Sequence, residues 1–253
     1  MCMKKIIPLI VLVLCLNNVC MAQLNLCVYT KDGEQTNFVA ANVDSISFAT
    51  LDSASVSPAV VVDEYEFVDL GLSVRWATCN VGAKNPYESG DYFAWGEQET
   101  KDYYDLDNYK WSEGVPGTLQ KYCLIDEYGT VDNISQLEPS DDVARVDMKD
   151  RWRIPTEEEV KELLRHCSLT WTEKNGVVGC EFRSMINFES IFMPAVGYYS
   201  YEEKNVGDYG YYWTSTLETA NSDRAMQLVL NKSGENITGG SRIFGLTIRP
   251  VLP

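Results

Sequence analysis

From residue 60 to the C-terminus the apolar residues come in short pieces, at 67–72, 74–77, 92–95, 191–196, 211–213, 225–230 and 244–251, and turn formers cut each one off. Gly, Tyr and Trp are frequent throughout, and strict two-residue alternation is rare. Such pieces build short, irregular strands tied together by loops. Two helices stand out. Ser140 can cap a short one entered through Asp141, Asp142, Val143 and Ala144, with acids at its positive end. The second is better specified. Pro155 sits just outside it, Thr156 and Glu159 form a capping box, and Val160, Leu163 and Leu164 make one apolar face. Asn175-Gly176 then marks a hairpin. The order strands, helices, strands predicts an α+β domain over residues 60–253.

A smaller unit precedes it. Leu26, Val28 and Tyr29 run into the turn Lys31-Asp-Gly-Glu34, and a second apolar stretch passes through Phe38, Val39, Val43, Ile46 and Phe48. Asp-Gly between strand-like runs predicts a β-hairpin, because Gly accepts the positive φ of the turn. Residues 50–58, rich in Ser and Ala, read as a linker, so hairpin and linker together fill residues 23–59.

The first 22 residues read as a secretory signal peptide. Lys4 and Lys5 precede an apolar run at 6–16, and Ala22 offers a cleavage point. The run is well short of the ~20 residues a bilayer core requires, so no stable membrane span is expected. A lipoprotein signal is the rival reading, but Cys15 follows Leu14 and Cys20 follows Val19 rather than a small residue. The expected location is exported: periplasm, cell surface or extracellular. Cleavage leaves Cys27, Cys79, Cys123, Cys167 and Cys180, an odd number that permits disulfides but leaves one thiol over.

Composition narrows the partners. The formal net charge is −16, with 37 acidic residues against 21 basic ones. Such a field disfavours nucleic acid and anionic membranes. Arg145, Arg151 and Arg153 are the nearest approach to a basic patch, and core anchoring would serve them equally well.

Several separated motifs occur together. Phe67-Val-Asp-Leu-Gly-Leu-Ser-Val-Arg-Trp-Ala-Thr-Cys-Asn-Val-Gly-Ala83 is followed by Gly90-Asp-Tyr-Phe-Ala-Trp-Gly-Glu97 and Trp152-Arg-Ile-Pro-Thr-Glu-Glu-Glu159. Ile191-Phe-Met-Pro-Ala-Val-Gly197, Gly210-Tyr-Tyr-Trp-Thr-Ser215 and Gly245-Leu-Thr-Ile-Arg-Pro-Val251 complete the set. In this order they resemble the Fibrobacter succinogenes major paralogous domain family of secreted bacterial proteins. The resemblance covers about residues 64–253. It implies a C-type-lectin-like fold, related to that of the formylglycine-generating enzymes, and assigns Trp152, Arg153, Pro155, Thr156, Glu159 and Arg249 to its structural motifs. The hairpin segment is similar to the leader of many exported Bacteroidetes proteins.

Enzymatic chemistry does not carry over. The formylglycine-generating enzymes hold copper on a cysteine pair late in the domain, and here no cysteine follows Cys180. There is no GxSxG and no HExxH, and His166 is the single histidine. At the end of its helix a cation interacts well with the dipole, which is role enough. The calcium motifs of C-type lectins are also missing, since Glu138-Pro139-Ser140 lacks the amide residue. Asp102, Asp105 and Asp107 alternate along a loop, which reads as a solvated acidic segment rather than a cation site. No catalytic residue, metal or cofactor is therefore expected.

Aromatic loops carry the binding expectation. Tyr103, Tyr104, Tyr199, Tyr201, Tyr209 and Trp213 sit in polar, Gly-containing stretches, where rigid aromatic surface suits sugars or protein partners. Tyr103, Tyr104, Tyr199 and Tyr201 should be the more exposed set, with Trp76, Trp95, Trp152 and Trp213 mainly in the core. Residues 213–236 are a second region of interest. A disulfide between Cys79, after the first family motif, and Cys167, ending the main helix, could add about 4–5 kcal/mol, with Cys167–Cys180 as competitor. The expectation is thus an exported, non-catalytic module that binds a glycan or an envelope protein. A structural or adhesive envelope component and an enzyme with an unfamiliar site are the alternatives.

Overall fold

The computed structural model describes residues 25–29, 35–39, 60–62, 65–149 and 151–253, the first three of these segments by their backbone alone. The chain divides into two units, Met1–Ser55 and Val56–Pro253. In the first, β1 (Asn25–Tyr29) pairs antiparallel with β2 (Gln35–Val39), in the register Asn25 to Val39 and Tyr29 to Gln35. Residues 1–22, read above as a signal peptide, the expected turn at 31–34, Val43, Ile46, Phe48 and the expected linker at 50–58 lie outside the described residues.

The second unit is α+β, with antiparallel sheets and two helices. β3 (Val60–Val62), β4 (Tyr65–Val68) and β5 (Arg75–Ala77) form one sheet with the C-terminal β14 (Val251–Leu252), in the order β14-β5-β4-β3. The final segment, 245–252, is buried throughout and acts as a spine. Ala77, Val81 and Phe93 donate their N–H groups to Pro250, Ile248 and Leu246 on one side, and Tyr199 and Trp213 donate to Gly245 and Thr247 on the other. It alternates between neighbours rather than pairing along one of them, so little of it forms regular ladder.

α1 (Val143–Asp147) begins one residue after its N-cap Asp142, whose carboxylate accepts from the N–H groups of Ala144 and Arg145. Ser140, the expected cap, belongs instead to a 3-10 turn over Pro139–Asp141. Asp142 wins because its carboxylate also takes the N–H of Ile154 at 3.0 Å, tying the turn to the next segment. α2 (Glu157–His166) has the expected capping box between Thr156 and Glu159. Val160 and Leu163 are buried and Leu164 packs at their edge.

β6 (Cys167–Lys174), β7 (Val177–Ser184) and β8 (Ser190–Pro194) form a meander. Its first turn is Asn175-Gly176, with φ of 51° and 78°, the left-handed pair that a two-residue hairpin demands. After the small ribbon β9 (Tyr198–Tyr199) and β10 (Glu203–Lys204) come β11 (Tyr209–Leu217), β12 (Arg224–Asn231) and β13 (Gly234–Ser241), again a meander. β11 breaks register with β12 between Trp213 and Leu217. There the buried Ser215 leaves the β12 ladder for other partners: it donates its N–H to Pro155 O and accepts one from Leu137.

Trp95, Trp152 and Trp213 share one core with Phe93 and Tyr122, and Trp76 lies in a second with Leu163, Phe182 and Leu228. All four tryptophans expected inside are at most 1% exposed. Among the described residues no helix is long and apolar enough to cross a membrane. Cys79, Cys123, Cys167 and Cys180 are free thiols, so the expected Cys79–Cys167 disulfide is not formed in this structure. Cys79 lies next to β5 beside the Thr78 hydroxyl, whereas Cys167 and Cys180 are buried in the second core. The competing pair is set apart by register, with Cys180 opposite Trp171 and Cys167 opposite Ser184. Burial pushes the Cys167 thiol up to about 11 and the Cys180 thiol to about 12.

Candidate functional site

Two loops that are far apart in sequence meet through backbone and rings. Tyr104 donates its N–H to Ser200 O at 2.7 Å. Where they meet, Tyr103 and Tyr201 lie parallel, with ring centres 5.5 Å apart and planes within 5°. Tyr201 is 64% exposed and Tyr103 36%. Both hydroxyls donate to carboxylates, Tyr103 to Asp107 at 3.3 Å and Tyr201 to Asp105. Asp105 also caps the 3-10 turn Leu106–Asn108, with Asn108 closing the box. The alternating acids therefore organise a turn and orient two rings. Among the described residues no three His, Cys, Asp or Glu side chains gather as a metal site.

The electrostatics follow from these contacts. The Tyr201 hydrogen bond holds the Asp105 carboxyl below its ordinary value, and the Asp105 carboxylate raises the Tyr201 phenol to about 12. The Asp107 charge likewise raises Tyr103. The pair thus keeps one protonation state across neutral pH.

Tyr104 and Tyr199 belong to the same two loops but pack inward. Tyr104 is 2% exposed, not part of the exposed set as expected. Its ring packs on Gly245, where any Cβ would come within 2.8 Å, and its hydroxyl donates to Tyr92 O. Burial raises its phenol to about 12. Tyr199 is half-buried, edge-on to Tyr104 at 5.7 Å and tilted against Tyr92 at 5.8 Å. Tyr199 therefore packs against the buried rings rather than standing in the exposed set as expected. Trp213 is 1% exposed and its indole donates to Phe93 O, so it is a core residue and contacts no ligand surface.

Tyr209 belongs to a second aromatic group. It is exposed and stacks on Tyr211 at 5.6 Å, with planes 14° apart. Tyr211 meets Tyr198 edge-on at 5.5 Å, and Tyr198 leans on Phe244 at 5.4 Å. Tyr198, Tyr211 and Phe244 border a cleft of about 180 Å³ whose other wall is β12 and β13, at Gln227, Gly239 and Gly240. Gln227 lies inside the 213–236 region of interest without being singled out there, and the glycine pair lies outside it. The available signal was the Thr238-Gly-Gly-Ser241 run inside a strand, since interior Gly marks a close approach.

The structural motif residues cluster around the helix start and the spine. Arg153 donates to Glu159 through both terminal nitrogens, and Glu159 also accepts the Thr156 N–H at 2.8 Å. Burial pushes the Glu159 carboxyl up, but the hydrogen bonds from Arg153 and Thr156 outweigh it and hold it below its ordinary value. Trp152 is fully buried. Arg249 is 1% exposed and donates to Asn80 Oδ1 and to the carbonyls of Ala77 and Thr78.

The chain matches no protein-family model, no curated protein and no solved structure.

Proposed function

We propose that this chain is an exported, non-catalytic glycan-binding module of C-type-lectin-like build, in the manner of the Fibrobacter succinogenes major paralogous family. The observation that carries the reading is the Tyr103–Tyr201 platform. Large exposed rings are costly to leave in water, and these two are held in place by their own carboxylates. A preoriented aromatic face loses little rotamer freedom on binding and suits the C–H faces of sugar rings. The pairing of β5 with β14 around the spine supports a C-type-lectin-like arrangement of the domain.

The test is a glycan array probed with the purified chain, with calcium and with chelator. Binding to a few related glycans that Tyr201→Ala weakens at least tenfold supports the module, and equal binding in chelator is expected. A blank array under both conditions overturns it.

One observation favours the assembly reading. The β7–β8 turn exposes Met185, Ile186 and Phe188, the last 70% exposed and held at φ 66°. Bulky residues rarely adopt that backbone, and apolar turn tips mark contacts. Sedimentation of the chain at rising concentration decides it. Self-association abolished by Phe188→Ser would favour an envelope component, and a monomer throughout would remove that reading.

A further inference from the structure

The cleft between the second aromatic group and β12–β13 has the chemistry of an open subsite with an aromatic and a polar wall. Its wall includes Gln227, 9% exposed, whose side-chain amide has no hydrogen-bond partner among the described residues. A side-chain amide can donate twice and accept twice, so this one is free to serve a molecule in the cleft. Gln227 has room because Gly240, beside it on β13, carries no side chain; a Cβ there would collide with the amide. At Gly239 a Cβ would collide with the Glu218 carboxylate. Neither glycine has a positive φ, and the atoms a Cβ would meet at each are the ends of flexible side chains, so the two glycines leave Gln227 and Glu218 room rather than being fixed by backbone strain. Arg224 closes the rim, contacting Glu218 at 3.1 Å and donating to Gly239 O. Glu218 Oε2 is buried and itself lacks a hydrogen bond.

We infer that this cleft binds one neutral sugar ring, with its C–H face on Tyr211, the perpendicular Tyr198 beside it, and its hydroxyls on the Gln227 amide. Three features select that class. The opposite wall offers aromatic faces, which take C–H surface. A hydroxyl both donates and accepts, which matches an unpaired amide. Arg224 and Glu218 neutralise each other at the rim, so neither an anion nor a cation is favoured. The cleft, of about 180 Å³, has room for a sugar ring. The ring can come from a free monosaccharide or from the end of a longer glycan. The inference rests on the proposed function for its ligand class but on different residues from the platform.

The test is a titration of the purified chain with methyl glycosides of glucose, galactose, mannose and N-acetylglucosamine, and with their β-linked disaccharides, followed by the tyrosine ring signals in NMR. At least one glycoside is expected to saturate. Gln227→Glu, which keeps the size and removes the donors, should weaken it at least tenfold with an unchanged near-ultraviolet circular dichroism spectrum. Tyr211→Leu should do the same if Gln227→Glu fails to fold. Tyr201→Ala should leave this binding intact. A disaccharide binding as its methyl glycoside does identifies a terminal ring, and binding of the methyl glycoside alone identifies a free sugar. No saturating glycoside, or saturation unaffected by Gln227→Glu in a folded protein, overturns the inference. If the array remains positive and sensitive to Tyr201→Ala in that case, the platform reading stands without the cleft.

Discussion

Arg242 and Arg249 are both fully buried, and carbonyls, an amide oxygen and a phenol take their hydrogen bonds in place of carboxylates. Arg242 donates to the carbonyls of Tyr122, Ser222 and Lys121 and lies over the rings of Trp95, Tyr109 and Tyr122. A guanidinium suits such places, because its donors fan out in a fixed plane and can collect carbonyls from several loops at once. Arg249→Met would strand Asn80 Oδ1 and the carbonyls of Ala77 and Thr78. At about 1–3 kcal/mol per unsatisfied group, a loss of at least about 3 kcal/mol is expected, read as a lower urea midpoint. A change smaller than about 1 kcal/mol would show that those acceptors find other donors. Gly245→Ala belongs to the same scale. It should push the Tyr104 ring away and weaken any ligand of the Tyr103–Tyr201 platform, while ligands of the Gln227 cleft lose less. Equal losses at both would show a general loosening instead.

At the scale of elements, local signals were the legible ones. The capping box of α2 and the Asn175-Gly176 turn each lie within four consecutive residues, so the sequence spelled them out. The α1 cap did not read correctly, because Asp142 is chosen by a contact with Ile154, twelve residues on. The site was less legible still. The indole of Trp213 finds its acceptor 120 residues away, and Tyr104 is buried by Gly245 from the far end of the chain. Periodicity cannot report such meetings. The start of α2 offers a pH test. Glu159 has a lowered carboxyl, so its contribution is present above its unfolded value of about 4.3 and lost as pH falls through the lower folded one. Glu159→Gln keeps the capping box and removes the ion pair with Arg153. The stability gap between parent and variant should therefore be open at neutral pH and close on acidification. A gap that stayed constant down to the acid limb would assign it to packing.

For the whole second unit, the last residues matter most. The segment 245–252 is bonded to residues from β5, from the 81–93 loop and from β11, so it joins parts that otherwise share few backbone bonds. A chain ending before Gly245 should fail to fold, giving collapsed amide dispersion in NMR and rapid proteolysis. A chain lacking Pro253 alone, which is exposed, should be indistinguishable from the parent.

The four-stranded sheet has one more consequence. β3 opens the unit at one edge and β14 closes it at the other, three strand spacings or about 14 Å away. A bridge of about five residues spans that gap. Joining Pro253 to Val60 in this way and opening the chain at the exposed turn Lys232-Ser233 should give a circular permutant with the same sheets. In that permutant the Tyr103–Tyr201 platform lies in the interior of the sequence, and an anchor or a reporter can be attached at the new ends without touching the strands that hold the unit closed.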